Sequence, residues 1–193
     1  MVAALAIQRS TTGEAAKRHT PERREAQLVR AAQRGSEAAL EELFNRHWLP
    51  AHRLAYLIVH DAAAAEDIAQ EAFLAAVRAL DRFDRRRRFS PWLHRIVANR
   101  AIDWARARAL RRETGVGEAV AGSAPDPDPG YPDELVAALR ELSLDRRTAI
   151  VLRYLLDYTP GEIARLLGVP RGTVNSRLRR GLDELADAVE GEA

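Results

Sequence analysis

The stretch TPGEIARLLGVPRGTVNSRLRR, residues 159–180, decides the fold. Thr159 and Glu162 have capping-box spacing with Pro160 at the first helical position, so a short helix begins there. Ile163, Ala164 and Leu167 give that helix an apolar face, and Gly168-Val169-Pro170 ends it. A second helix from about Arg171 carries Val174, Leu178, Leu182 and Leu185 on one side. Two helices that cross closely need a small residue in the turn, and Gly168 supplies it. The pattern is that of a helix-turn-helix whose shared core is Ile163, Ala164, Leu167, Val169, Val174 and Leu178. Arg171, Thr173, Asn175, Ser176, Arg179 and Arg180 are left to project outward. Such side chains suit the major groove, where Arg pairs with guanine, Asn with adenine, and Ser or Thr with bases or phosphates. Arg177 fits either a phosphate contact or internal packing.

Upstream of this motif lie an amphipathic helix, Glu134 to Leu142, and a helix from roughly Asp145 to Asp157. Residues 114–132 hold glycines 115, 117, 122 and 130 and prolines 125, 127, 129 and 132, which reads as a flexible, solvated linker. Before the linker, apolar residues recur at helical spacing. Leu28, Val29 and Ala32 precede a break at Gly35-Ser36. Leu40, Leu43, Phe44, Trp48, Leu54, Leu57 and Ile58 follow, with a kink or irregularity expected at Pro50. Asp61 is placed to cap a third helix carrying Ile68, Phe73, Leu74 and Val77. After the basic loop Asp84–Phe89, Ser90-Pro91 reads as a cap and first helical residue, opening a helix towards Arg112. Residues 1–24 lack sustained periodicity and are expected to be a disordered arm. The fold expected is all-α: two small helical domains, 25–113 and 133–193, joined by a flexible linker, the second containing the helix-turn-helix.

Charge is segregated along the chain. Arg82 to Arg112 contain eleven arginines against Asp84 and Asp103, a net of +9. Glu113 to Asp145 carry a net of −7, and Arg146 to Arg180 a net of +6. Two basic sections on a tether suit a polyanion contacted at two places. Bulk numbers exclude other classes. The chain has no cysteine, so disulfides, thiolate metal sites and direct thiol redox sensing are excluded. No stretch approaches the roughly 18–20 apolar residues of a membrane span, so no membrane insertion and a cytoplasmic location are expected. No phosphate loop, nucleophile elbow or metal-spaced cluster is found, and the five histidines are scattered. An enzyme, a cofactor or a bound metal is therefore not expected.

Residues 161–180 resemble the promoter-reading domain of extracytoplasmic-function (ECF) sigma factors of bacterial RNA polymerase. Response-regulator output domains share such signatures, so the first domain carries the decision. AEDIAQEAF, residues 65–73, resembles that family's polymerase-binding helix, and FSPWLHRIVANRAID, residues 89–103, resembles its −10-reading helix. The likeness spans residues 25–189. It implies that Asp67, Gln70 and Glu71 bind core polymerase, whose β′ clamp and β flap are the expected contacts. It also implies that Arg86, Arg87, Arg88, Phe89, Asn99 and Arg100 meet the −10 element, with Phe89 as a stacking plane for a flipped base. Arg171, Thr173, Asn175, Ser176, Arg179 and Arg180 would meet the −35 element. Promoter DNA and an anti-sigma factor are the further partners implied. Trp92 and Trp104 are expected in the core, and His94 shows no partner signal. The alternative function is a free-standing helix-turn-helix regulator that delivers no polymerase. The two readings separate on core binding.

Overall fold

The computed structural model describes residues 14–114 and 131–190, with side chains over 23–114 and 131–187. Every element among them is helical. In chain order these are α1 (Glu14–Ala32), α2 (Glu37–Val59), α3 (Ala62–Ala79), α4 (Phe89–Thr114), α5 (Asp133–Glu141), α6 (Leu144–Ile150), α7 (Pro160–Leu167) and α8 (Arg171–Glu190). The expected disordered arm is helical from Glu14 onward, and its first 13 residues lie outside the described residues. Most of the predicted linker, 115–130, lies outside them too.

The local signals that start helices act largely as their chemistry requires. Ser36 accepts from the Ala39 N–H at the head of α2, and Asp61 accepts from the Ala64 N–H at the head of α3. Helix α2 continues through Pro50, so that residue interrupts one backbone bond without ending the helix. Ser90 behaves otherwise. Helix α4 begins one residue earlier, at Phe89, and the Ser90 hydroxyl donates to Glu25 Oε1 (3.1 Å) instead of capping. A half-buried carboxylate offers that hydroxyl a charged acceptor, and this outweighs a local cap.

Helices α2, α3 and α4 pack on one another around Leu43, Leu54, Ile58, Ile68, Leu93 and Val97, and α1 closes the side of α2. Trp92 and Trp104 pack against this core, as expected, with Trp104 beneath Arg108 (4.9 Å). In the second domain, Leu139, Leu152, Ile163, Val174 and Leu178 are buried together. Ala164, Leu167 and Val169 flank that core, Leu166 joins it, and Leu182 stays exposed.

The helix predicted over 145–157 is interrupted. Helix α6 widens into a π-helical turn over Val151–Leu155, and Asp157 then takes a left-handed conformation (φ 56°). Aspartate tolerates that region better than most residues. The Tyr158 N–H turns back to Leu152 O (3.0 Å). This geometry carries the Tyr158 ring away from its own helix and against α4.

Candidate nucleic-acid and polymerase interface

Helix α7 opens with the full capping box: Thr159 Oγ1 accepts from the Glu162 N–H, and Glu162 accepts from the Thr159 N–H (2.9 Å). These bonds from the Thr159 backbone and hydroxyl hold the Glu162 carboxyl below its ordinary range, against a smaller opposing effect of burial. Gly168 ends α7 at φ 68°, a backbone that side chains with a Cβ seldom adopt. Helix α8 then presents Arg171, Asn175, Arg179 and Arg180 fully outward, with Thr173 and Ser176 half-buried at its edge. Arg177 resolves to the internal alternative, since its guanidinium pairs with Asp145 of α6. Gly181 fills a role the sequence did not signal. A Cβ there would stand 3.0 Å from Ile150 Cγ1, a tight contact that the Ile150 side chain would have to yield to, so glycine eases the close approach of α8 to α6.

In the first domain the predicted stripe Asp67, Gln70 and Glu71 is exposed along α3. Ile68 and Phe73 beside it belong to the core. The apolar surface next to the stripe is made instead by Phe44, Leu74 and Val77, exposed by 39, 57 and 42 %. They line a groove between α2 and α3 that Gln70 also borders. The signal was present in the i, i+4, i+7 spacing of Gln70, Leu74 and Val77.

Arg85 to Arg88 are exposed in the loop before α4. Asp84 shapes that loop by accepting from the Arg86 N–H (3.0 Å) through its side chain and from the Arg87 N–H through its carbonyl. The arginines border a small cavity backed by Glu25, Val29 and Phe83. Phe89 does not provide the expected stacking plane. It is 4 % exposed, with Phe83, Trp92 and His47 at 6.0, 5.6 and 5.2 Å between ring centres. Being apolar at the first turn of a buried helix, its ring gains more from the core than from a solvent-facing loop. Asn99 is exposed on α4, one residue from Arg100. Arg100 donates to Glu71 of α3 (2.7 Å), so the structure joins a predicted DNA contact to a predicted polymerase contact.

Behind the loop lies a buried polar cluster that sequence reasoning missed. His47 Nε2 lies 2.9 Å from Glu25 Oε1, which also accepts from Ser90. Burial pushes the Glu25 carboxyl up. The hydrogen bond and charge of His47, with Ser90 and Arg88, outweigh it and leave the carboxyl below its ordinary value. His94, expected to lack a partner, shares a 2.7 Å hydrogen bond between its Nδ1 and the Tyr158 hydroxyl. Burial first, then the charge of His47, pushes His94 down to about 4, so its ring is neutral near pH 7.

Comparison with known proteins places these surfaces in a family context. Residues 43–111 match the family model described as Sigma-70 region 2, and residues 133–185 match Sigma-70, region 4. The RNA polymerase sigma factor CarQ of Myxococcus xanthus is 35 % identical over 160 residues, covering 79 % of this chain and 90 % of its own length. The ECF RNA polymerase sigma factor SigM of Mycobacterium tuberculosis is 37 % identical over 169 residues, covering 86 % of this chain and 84 % of its own. Among solved structures, CnrH in complex with the cytosolic domain of CnrY superposes with a TM-score of 0.68 at 26 % identity, over 88 % of this chain and 99 % of that one.

Proposed function

Because the chain belongs to the ECF group of the sigma-70 family, the promoter-specificity factors of RNA polymerase, we propose a division of labour among its surfaces. The exposed face Asp67, Gln70 and Glu71, with the apolar groove of Phe44, Leu74 and Val77, docks on core polymerase at the β′ clamp. An acidic rim around an apolar centre suits a basic, amphipathic helical partner. The second domain reaches the β flap. The loop Arg86 to Arg88 and the exposed Asn99 and Arg100 of α4 meet the −10 element. The loop cavity, bordered by arginines and backed by Phe83, would receive an unstacked base, with the guanidiniums on its phosphates. The outward residues of α8, from Arg171 to Arg180, enter the major groove at the −35 element. The chain contributes no catalysis and acts where the polymerase is, in the cytoplasm, under an anti-sigma factor.

One observation carries this reading: an acidic, partly apolar face on α3 and an arginine-rich loop before α4 are both exposed on one domain, most of which matches region 2. A free-standing regulator would have no use for the first of these. In vitro transcription with core polymerase on a fragmented genomic library tests it, with sequencing of the new RNA 5′ ends. Discrete starts that share two upstream boxes are expected. Replacing Asp67 and Glu71 together by arginine should abolish capture of core enzyme while promoter-element binding by the free protein persists. Undiminished capture would overturn the assignment of that face.

A further inference from the structure

The loop before α4 is basic, but the cavity behind it is not lined by cations alone. Arg85 to Arg88 border it, Phe83 and Phe89 give it apolar edges, and Glu25 of α1 closes it from behind. Arginines by themselves would make a phosphate site. A carboxylate among them, the only acid in this lining, repels phosphate and calls for an N–H donor instead.

Glu25 is held in place from two other helices. Its Oε1 accepts from the Ser90 hydroxyl of α4 (3.1 Å) and lies 2.9 Å from His47 Nε2 of α2. The His47 ring in turn rests against Phe89, 5.2 Å between ring centres. Both contacts of the carboxylate fall on Oε1, and Oε2 has no hydrogen-bond partner among the described residues. Burial pushes the carboxyl up, but the bond and charge of His47, then Ser90 and Arg88, bring it below its ordinary value. Near neutral pH the group is therefore ionised and can only accept.

A base drawn out of the stack is read along its Watson–Crick edge. Cytosine and adenine each bring an exocyclic amine to that edge, where thymine has a carbonyl oxygen. A fixed carboxylate accepts from the amine and repels the carbonyl. We infer that Glu25 is a specificity-determining residue of the −10 loop, accepting from the exocyclic amine of the unstacked base and so selecting cytosine or adenine over thymine. The inference rests on the proposed function, which gives the loop a base but no choice among bases. The arginines hold the backbone whatever the sequence, and the carboxylate supplies the choice.

Holoenzyme assembled from core polymerase and the full chain tests this on a promoter located by 5′-end mapping and then randomised through its −10 box. Sequencing the RNA products should show one −10 position that favours cytosine or adenine over thymine by about tenfold or more, as fits a hydrogen bond to a charged group. Glu25→Gln keeps the side chain's size and a carbonyl for Ser90, but its amide can turn an N–H towards a thymine carbonyl. The preference at that one position should be lost while those at the others persist. A residue that only props α1 against α4 would instead lower output from every sequence alike. A second measurement leaves the protein unaltered, so it stands even where Glu25→Gln misfolds. On a promoter already unpaired at that position, the preferred cytosine is replaced by 2-pyrimidinone, or adenine by purine, each the same ring without the amine. Binding of the holoenzyme should weaken by about tenfold. An unchanged preference in a folded Glu25→Gln, a thymine or guanine preference at the position it alters, or no loss with the amine-free base would overturn the inference and leave the loop assigned to the −10 element. A library with no −10 preference at all would sink the proposed function itself.

Discussion

On α4, arginines lie against the chain's own carboxylates: Arg100 on Glu71, Arg108 on Asp61, and Arg106 towards Asp145. On α8, Arg171, Arg179 and Arg180 are exposed and have no carboxylate partner among the described residues; Arg177 alone is held, by Asp145. Both sections are basic in sequence, yet they present different problems to a polyanion. At α8 a phosphate replaces only loosely held counterions, so binding should follow salt in the ordinary way. At Arg100, Arg106 and Arg108 of α4 a phosphate competes with a carboxylate already in place, so the new ion pair is partly offset by the one it replaces, whereas Arg95, Arg111 and Arg112 are exposed with no carboxylate partner among the described residues. On the proposed assignment, α8 offers its arginines to the −35 element directly, whereas Arg100 of α4 would reach the −10 element in competition with Glu71.

The comparison can be broken most severely at Gly181. Gly181→Leu would drive a side chain into Ile150 and should cost the second domain about 1–3 kcal/mol. Loss of −35 binding with α3-dependent core capture intact would separate the two domains; joint loss would show that they fold as one unit. Arg179→Ala or Arg180→Ala should come next. If the guanidinium holds a phosphate, its removal should lower the salt slope by about one unit; if it reads a base edge, removal should cost about 1–3 kcal/mol at one promoter position. Equal slope changes for Arg100→Ala and Arg180→Ala would erase the contrast between matched and unmatched arginines.

Mild acid reaches histidines of the first domain only, because no histidine occurs in residues 131–190. Burial, with the charges of Arg147 and Arg140, pushes His60 down to about 3, and His94 stands at about 4. The unfolded chain takes up these protons near pH 6.5, the folded chain only well below it. Between those limits the unfolded state binds more protons, so stability should fall as pH is lowered from about 6.5. His60→Asn, a residue that accepts the left-handed backbone found there (φ 52°), should flatten that fall in melting temperature; an unaltered pH profile would dissociate it from His60. The smallest effect belongs to Glu71→Gln. Freed of its carboxylate, Arg100 should bind −10 DNA better by no more than a few-fold in the absence of core, since an exposed pair contributes only about 0–1 kcal/mol. Arg100→Ala should remove that gain.

Local chemistry made the helices and the helix-turn-helix readable from sequence. The capping box at Thr159, the caps at Ser36 and Asp61 and the glycine at the α7–α8 turn act within a few residues, and so does the period of the apolar faces. The same logic left Arg180 projecting outward, and it is exposed; Asp67, Glu71 and Asn99, singled out through the family resemblance, are exposed as well. It failed where a residue answers to a distant partner. Phe89 had the composition of a loop aromatic, but Phe83, Trp92 and His47 enclose it. Ser90 had the position of a cap, but Glu25, 65 residues away, takes its hydroxyl.

The amino-acid order alone set where α2, α3 and α7 begin, which way the apolar sides face and which sections carry positive charge, because those follow from backbone bonding and residue period. Tertiary structure alone decided which arginine meets which carboxylate, that His94 finds Tyr158 across 64 residues, and that Arg147 closes the end of α2 across 89. Such pairings depend on where the helices come to rest against one another, and no local period encodes that.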